Sequence, residues 1–403
     1  MSGPQESRTR GAPWRSPRFH VILANSLIGV MGVSLLSPVL PALGTVFGVS
    51  DTQVGLMITV FTVPGMLITP FVGLAADKIG RRRTLVPLLV LFGIAGSLIA
   101  LTDTYRQVLI LRFVQGIGGS ALVTLSLTLA GDYYEGSRQK AVIGLNSSAL
   151  GLGAAIFPLV GGVLAGIRWE LPFAFFGISI LVGLVAIPLI DERSTAESVS
   201  TRAHVEKIWA VATQPQAFGA YLAAFSTFFL YYGAVLTAIP LLLNGAYGTQ
   251  EPYLGIIFSI VSVSNALVAA RYGKLQSMTS MNLLIVVGFL LNGVALLAVR
   301  LATGPLHIAA LLVVYGVGFG LIMPSLNSTI VNIATPEQRA SMLGVNTSLL
   351  RLGQTLGPLA IPGLAEALFP SAVVGYQTVL PAFGLVTILL GVGAGGLAIY
   401  RDG

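Results

Sequence analysis

The sequence predicts an all-α integral membrane protein with twelve transmembrane helices, arranged as two related six-helix bundles with both termini in the cytoplasm. Three observations support this prediction: the hydropathy of the chain, the placement of its positive charges, and an internal repeat. The mean hydropathy is +0.87 and 55% of the 403 residues are hydrophobic. Both values lie far above those of soluble globular proteins, so the chain is placed among polytopic membrane proteins.

Twelve apolar segments are each long enough to cross a bilayer core, which takes about 20 residues in a helix. They cover residues 20–47, 53–76, 84–102, 106–131, 139–166, 171–190, 218–246, 252–270, 281–300, 306–332, 338–366 and 376–400. These segments divide the chain into a cytoplasmic tail at 1–19, an N-terminal bundle at 20–190, a cytoplasmic linker at 191–217 and a C-terminal bundle at 218–400. Within the linker, residues 204–212 suit either a short helix on the membrane surface or an unstructured connection.

The positive charges indicate the orientation of the chain. With the N-terminus inside, three arginines fall on the outer side and two within the segments, which leaves 17 of the 22 Lys and Arg residues for the cytoplasmic side. Cytoplasmic loops of membrane proteins are enriched in Lys and Arg. The net charge of +7 is therefore interpreted as a topological signal, and no nucleic-acid partner is predicted.

The two halves of the chain repeat at an offset of 200 residues. Eight glycines of the first half have a glycine 200 positions later, where about three such matches are expected by chance. They are Gly48, Gly55, Gly73, Gly93, Gly116, Gly118, Gly144 and Gly153. Asn146, Ser148 and Pro158 match Asn346, Ser348 and Pro358 at the same offset. The sequence therefore predicts two parallel six-helix repeats.

The stretch from Gly73 to Arg83 concentrates charge between two apolar segments, in a chain with only 9% charged residues. It must form a short cytoplasmic loop, because four cations cannot lie in hydrocarbon. Its pattern resembles the signature loop between helices 2 and 3 of major facilitator superfamily transporters. The residues that carry the resemblance are Gly73, Asp77, Lys78, Gly80, Arg81 and Arg82.

This resemblance implies a transporter with the major facilitator fold and a loop that latches the cytoplasmic side of the outward-facing state. In such a gate, Asp77 would contact the start of helix 11 near Glu337, and Arg81 would pair with Glu135 in the loop between helices 4 and 5. The alternative is that the cations are topological signals only. The second half has Ser277 opposite Asp77, so the latch is predicted on one half only.

Two further motifs resemble those of the 12-helix drug:proton antiporters. In helix 4, Arg112 with Gln115 is expected to face the bundle interior for proton coupling or substrate binding, unless Arg112 snorkels outward. In helix 5, the run from Gly151 to Gly162 resembles the exporters' motif, although Phe157 stands where that family has glycine. Simple membrane packing explains this run equally well. The predicted helix-packing residues are Gly153, Pro158, Gly161, Gly162, Gly353, Gly357 and Pro358.

Polar and aromatic residues within the segments are candidates for a coupling or substrate cavity. Arg351 stands near the middle of segment 11 with no acid at a similar depth, so its partners are polar side chains, carbonyls, water or an anionic ligand. Each candidate is equally suited to a helix–helix hydrogen bond. They are Asn25, Arg112, Gln115, Asn146, Tyr231, Tyr232, Asn265, Asn327, Asn346 and Arg351.

Several chemistries are disfavoured by what the chain lacks. It has no cysteine, and its 15 acids and three histidines fall in tails, loops or helix ends. A membrane-embedded enzyme is therefore not expected, and no cofactor or metal is predicted. Proton carriers at the midplane are normally Asp, Glu or His. Proton coupling would have to use edge acids such as Asp77 or Asp132, or a protonated substrate.

The sequence is interpreted as a secondary transporter of the cell membrane that exports small amphipathic organic compounds, with protons as the possible coupling ion. An organic-anion or metabolite carrier that uses Arg112 and Arg351 is the alternative, and a membrane protein without transport activity is a third. The expected partners are a small-molecule substrate and membrane lipid, and the protein is expected to be a monomer.

Overall fold

The structure, a computed structural model, describes residue 14 and residues 16–192, 215–335 and 338–402. All regular secondary structure in these ranges is helical. The membrane-length helices are labelled α1 to α12 in chain order. Their bounds are α1 Pro17–Phe47, α2 Asp51–Ile79, α3 Arg81–Leu101, α4 Tyr105–Tyr133, α5 Gly136–Ile167, α6 Leu171–Leu189, α7 Pro215–Tyr247, α8 Glu251–Met278, α9 Met281–Leu301, α10 Pro305–Ile333, α11 Arg339–Leu368 and α12 Ala372–Asp402.

Eleven of these helices, counted over the described ranges, are both long and apolar enough to span a membrane. The exception is α11, which has 30 residues but interrupts its apolar sequence with Asn346, Arg351 and Gln354. At about 1.5 Å per residue it is still longer than a hydrocarbon core. The predicted all-α membrane class is confirmed. Residues 204–212, for which a surface helix and an unstructured connection were both left open, and most of the tail at 1–19 lie outside the described residues.

The 200-residue repeat is visible as matching local structure. Gly48 ends α1 and Gly248 ends α7, with left-handed φ angles of 60° and 62°. Glycine adopts this conformation without strain, which is why it commonly follows a helix. The two bundles therefore end their first helices at equivalent positions and with the same residue.

Helix α7 changes its winding near its centre. Residues Tyr231–Ala238 form a π-helix between two α-helical parts, Pro215–Leu230 and Ile239–Tyr247. Pro240 has no N–H to donate to the carbonyl of Leu236 four residues earlier. The Leu236 carbonyl instead accepts a hydrogen bond from Ser37 Oγ of α1 at 2.7 Å. The irregular part of α7 therefore contributes a contact between the two bundles.

Helices α2 and α11 form one of the two main seams between the bundles. Thr59 Oγ1 donates to the Thr355 carbonyl at 2.8 Å. Closer to the outer side, a Cβ on Gly55 would overlap the carbonyl oxygen of Pro358. Small residues allow this close approach of two helix backbones. The α2–α11 seam is therefore closed from the middle of the membrane outward.

Helices α5 and α8 form the second seam and follow the same plan. Gly162 lies directly against the carbonyl oxygen of Glu251 near the outer ends of the two helices. Nearer the middle, Ser262 Oγ donates to the Ala154 carbonyl at 2.8 Å. This seam is also closed from the middle of the membrane to the outer side.

The cytoplasmic halves of the same helices are open. A Cβ added at Gly144 of α5, Gly273 of α8 or Gly344 of α11 would have no neighbour within 4 Å. Residues 143–148 of α5 are exposed except Asn146. The bundles are therefore sealed against each other on the outer side and separated on the cytoplasmic side, in the orientation that the positive charges indicate.

Candidate functional site

The loop between α2 and α3 is organised around the Arg81 side chain, of which 9% is exposed. Gly80 connects the two helices with φ +108°, a conformation that favours glycine. Arg81 Nη1 donates to Asp77 Oδ1 at 2.5 Å and Arg81 Nε donates to Asp132 Oδ2 at 2.8 Å. The sequence predicted Glu135 as the partner of Arg81. In the observed conformation Asp132, in the last turn of α4, takes that place, and the pairing with Glu135 stays a prediction for the state that is closed to the cytoplasm.

The beginning of the predicted linker also contacts this loop. The Glu192 carboxylate lies 3.5 Å from Arg82 Nε and 3.7 Å from Arg83 Nε, and it packs directly against Gly80. Lys78 is exposed in the last turn of α2, and Gly73 lies within that helix. The proposed contact of Asp77 near Glu337 falls at a position outside the described residues.

Arg112 lies in the interior of the N-terminal bundle with no exposed surface. It donates from Nη2 to the Gly32 carbonyl at 3.0 Å, from Nε to the Met57 carbonyl at 3.2 Å and from Nη1 to Gln115 Oε1 at 2.8 Å. Its guanidinium also stands over the Phe61 ring, 4.2 Å from the centroid. Arg112 therefore joins α1, α2 and α4 through neutral acceptors and an aromatic face, and it does not snorkel outward.

Three of the predicted cavity amides are buried between helices in this conformation. Asn25 Nδ2 donates to the Leu122 carbonyl and to Ser126 Oγ, both at 2.7 Å. Asn146 and its repeat partner Asn346 are 0% and 2% exposed. Within the described residues, neither amide atom of Asn146 has a hydrogen-bond partner, nor has Oδ1 of Asn346. These side chains would have to move before they could contact a ligand.

The π-helix of α7 presents two adjacent tyrosines to a group of aromatic rings in the C-terminal bundle. The Tyr231 ring lies 4.6 Å from Phe319 of α10, and the Tyr232 ring stacks on Phe228 at 5.9 Å. Tyr231 and Tyr232 are themselves in edge contact at 5.7 Å, and both are half-buried. We call Phe228, Tyr231, Tyr232 and Phe319 the aromatic cluster.

Arg351 lies beside this aromatic cluster and points toward the other bundle. Its Nη1 donates to Gln354 Oε1 at 3.3 Å. Among the described residues, Tyr232 is the titratable side chain that interacts electrostatically with Arg351. A Cβ on Gly65 of α2 would lie 3.5 Å from Arg351 Nη1. The half-buried guanidinium therefore faces the interface between the bundles without a carboxylate partner in the described structure.

The remaining predicted residues are distributed elsewhere. Asn265 of α8 packs against Gly320 of α10, and Asn327 is exposed on α10. The predicted packing residues are in close contact with neighbouring helices. The glycine contacts are Gly153 with Leu27, Gly161 with Leu35, Gly353 with Phe225 and Gly357 with Phe229. The backbone of Pro358 packs against Gly55, and that of Pro158 packs against Gly255.

Sequence reasoning missed the contacts that close the outer side. Asp51 and Glu366 were expected only at outer helix ends, and nothing in the sequence pairs them with residues of the opposite bundle. One local signal was available, because Ser50 and Gln53 form a capping box that marks the start of α2. Its connection to Glu366 could not be derived from spacing alone.

The geometry defines a polytopic transporter, in which two related six-helix bundles are packed together on one side of the membrane and separated on the other. Residues 22–358 match the family described as Major Facilitator Superfamily. The chain belongs to this family of transporters. It is a multi-pass protein of the cell membrane and not an enzyme.

Its relatives include two curated bacterial exporters or resistance proteins. The bacillibactin exporter of Bacillus subtilis (strain 168) is 27% identical over 349 residues, which cover 82% of this chain and 86% of the relative. Quinolone resistance protein NorA of Staphylococcus aureus (strain Mu50 / ATCC 700699) is 25% identical over 362 residues, which cover 87% and 89%.

A solved structure of similar fold is the bacterial homolog of the human lysosomal transporter Spinster in its inward-facing, unoccupied conformation. It superposes with a TM-score of 0.77 at 17% identity, over 95% of this chain and 96% of that chain. This likeness shows the fold.

Proposed function

We propose that this transporter exports small amphipathic organic compounds by alternating access of its two bundles. The observation that carries the proposal is the position of the aromatic cluster and Arg351 at the interface between bundles that are open toward the cytoplasm. Rings at this depth offer apolar contact area, and polar neighbours can orient a ligand. A compound arriving from the cytoplasm or the inner leaflet would reach this surface directly. The names of the two curated relatives, which refer to export and to quinolone resistance, support the same direction.

An organic-anion carrier is the second candidate, and Arg351 favours it. A half-buried guanidinium is costly unless its donors are satisfied, and a ligand carboxylate is a strong bidentate partner for arginine. Arg112 does not support this candidate in the observed conformation, because it is sealed inside the N-terminal bundle.

Transport into proteoliposomes separates the two candidates. The purified protein is assayed with ethidium as an amphipathic cation and 1-naphthoate as an aromatic anion, with a pH gradient imposed or collapsed by an ionophore. Gradient-dependent ethidium flux supports the exporter and proton coupling. Naphthoate flux without ethidium flux contradicts the exporter and supports the anion carrier. Absence of both fluxes contradicts both candidates for these substrate classes.

Replacing Arg351 tests the role of the guanidinium. In Arg351→Gln, we expect naphthoate flux to fall at least about tenfold, because one charge-assisted hydrogen-bonded contact is worth about 1.5–3 kcal/mol, while ethidium flux is kept or raised. The matched control is Arg300→Gln, since Arg300 is an exposed arginine at the outer end of α9. Equal losses for both probes would show that Arg351 serves the fold or the transport cycle instead of anion binding.

We also propose that the α2–α3 loop is a cytoplasmic gate formed by the predicted residues around Asp77 and Arg81. In the observed conformation Asp77 accepts a hydrogen bond from Arg81 within the loop itself. The start of α11 would provide the positive helix end that attracts Asp77 when the cytoplasmic side closes.

Asp77→Asn tests this gate. We expect the transport rate to fall about two- to thirtyfold, because an anion at a helix N-terminus contributes about 0.3–2 kcal/mol to the closed state and the cycle must pass through that state. The melting temperature should change little, since Arg81 keeps its contact with Asp132. Asp103→Asn, at an exposed acid of an outer loop, is the control. A wild-type transport rate in Asp77→Asn would refute the gate.

A further inference from the structure

Two carboxylates from different bundles meet at the outer side of the membrane. Asp51 is the first residue of α2, and Glu366 lies near the outer end of α11. Neither belongs to the aromatic cluster or to the α2–α3 loop. We call them the outer acid pair.

Glu366 caps α2 from the opposite bundle. Its carboxylate accepts hydrogen bonds from the Ser50 hydroxyl at 3.0 Å, from the Thr52 N–H at 3.3 Å and from the Thr52 hydroxyl. The first N–H groups of a helix have no partner within the helix, and its positive end favours a negative charge. The ionised form of Glu366 is therefore the form that holds the outer side closed.

Asp51 makes the reciprocal contact. It accepts a hydrogen bond from the Tyr376 hydroxyl of α12 at 2.9 Å. Because Ser50 and Thr52 flank Asp51 in the chain, their bonds to Glu366 bring the second carboxylate next to the first. The same contacts that seal the outer side therefore bring two like charges together.

Burial of the Asp51 carboxyl between the bundles favours its protonated form most, the neighbouring Glu366 carboxylate adds to this, and the hydrogen bond from Tyr376 opposes both without outweighing them. The titratable neighbours are Tyr376 on α12 and, at the same corner, Tyr105 on α4, whose hydroxyl donates to the Gln53 carbonyl at 2.8 Å. Tyrosines are uncharged near neutral pH. Two carboxylates that share a site favour uptake of one proton.

Asp51 is the member of the pair that takes this proton. Glu366 accepts three hydrogen bonds as an anion, whereas Asp51 accepts one, and a protonated carboxyl keeps an oxygen that can still accept from the Tyr376 hydroxyl. Protonation of Asp51 therefore removes the repulsion without breaking the seal.

We propose that the outer acid pair makes closure of the outer side depend on external pH. When the transport site opens to the outside, the bundles separate here, and the Asp51 carboxyl returns to water and loses its neighbouring carboxylate. Closure brings the pair together and takes up one proton from the external solution. Lowering the external pH therefore shifts the equilibrium toward the outside-closed conformation.

The distance between two spin labels tests this proposal without any knowledge of the substrate. The chain has no cysteine, so Val46→Cys at the outer end of α1 and Val374→Cys at the outer end of α12, both exposed, can be labelled specifically. Double electron–electron resonance in lipid nanodiscs then gives the ratio of short to long distances. Between about pH 8 and about pH 5, we expect this ratio to rise, by at most about tenfold for each pKa unit that separates the closed from the open conformation.

Substitutions in the same labelled protein show which carboxylate causes the pH response of the distance ratio. Asp51→Asn should be mostly closed at both pH values, and Glu366→Gln should be more open than wild type at the higher pH. The control is Glu170→Gln. Glu170 bonds Arg168 of its own bundle at 3.0 Å, and this bond holds the pKa of the Glu170 carboxyl below its usual value. The control should keep the wild-type response. A wild-type ratio that does not change with pH, or a full response in Asp51→Asn, would overturn the proposal.

Discussion

Replacing Gly55 by leucine is expected to stop transport while leaving the protein folded. Gly55 of α2 lies so close to Pro358 of α11 that even a Cβ atom would overlap the Pro358 carbonyl. Both partners are backbone, so no side chain can rotate away, and the helices must separate. Overpacking of this kind costs about 1–3 kcal/mol, which corresponds to about a 5- to 150-fold loss of the outside-closed state. Each transport cycle must pass through that state.

A cysteine reporter checks this prediction. Thr59→Cys replaces a buried seam residue, so an impermeant maleimide added outside should label it slowly in the wild-type background and rapidly with Gly55→Leu. The matched control is Gly393→Leu, because Gly393 of α12 is exposed and has no neighbour near a built Cβ. Slow labelling together with wild-type transport in Gly55→Leu would show that this seam does not need its glycine.

Features that depend on local sequence could be predicted from it. Membrane helices follow from apolar segments because lipid requires each helix to satisfy its own backbone hydrogen bonds. The repeat glycines Gly48 and Gly248 fix helix ends through their own backbone conformations. Arg112 was expected inside because a cation in hydrocarbon needs polar neighbours. In each of these cases the residue and a general physical rule are sufficient.

Pairings between distant segments could not be predicted in the same way. Glu135 was predicted as the partner of Arg81, whereas Asp132, three residues earlier, faces the loop because of the direction in which α4 ends. The contact between Ser37 and the Leu236 carbonyl depends on the π-helix and on Pro240. Such contacts require the relative placement of helices, which spacing along one chain does not determine.

The sequence also did not indicate which conformation of the transporter the structure would show. The same residues must support one conformation that is closed outside and one that is closed inside. Asn25, Asn146 and Asn346 were chosen as cavity residues from their polarity, yet all three are buried between helices in the present conformation. The prediction that these three residues line a cavity requires that their side chains become exposed in the other conformation.

Arg112→Met is expected to abolish most transport with little change in stability. The cost of placing an arginine at the centre of a membrane helix is about 2.5–3.5 kcal/mol on insertion scales. This cost is offset by three hydrogen bonds, which contribute about 0.6 kcal/mol each in membrane proteins. The contact with the Phe61 ring contributes up to about 2 kcal/mol when it is desolvated. These contributions nearly cancel, so a methionine of similar length should shift the free energy of unfolding by no more than about 1–2 kcal/mol.

Transport should respond differently, because the Arg112 guanidinium joins α1, α2 and α4, and both α1 and α2 contact the other bundle. Methionine fills the volume but leaves the Gly32 and Met57 carbonyls and Gln115 without the donor that fixes their spacing. We expect the rate to fall at least about tenfold, the equivalent of about 1.4 kcal/mol, in Arg112→Met and less in Arg112→Lys, which keeps the charge but not the planar fork. Arg106→Met, at an exposed arginine one and a half turns earlier on α4, is the control and should transport normally. A melting temperature that collapses in Arg112→Met would instead assign this residue to folding, and a normal rate would show that the three helices do not need it to move together.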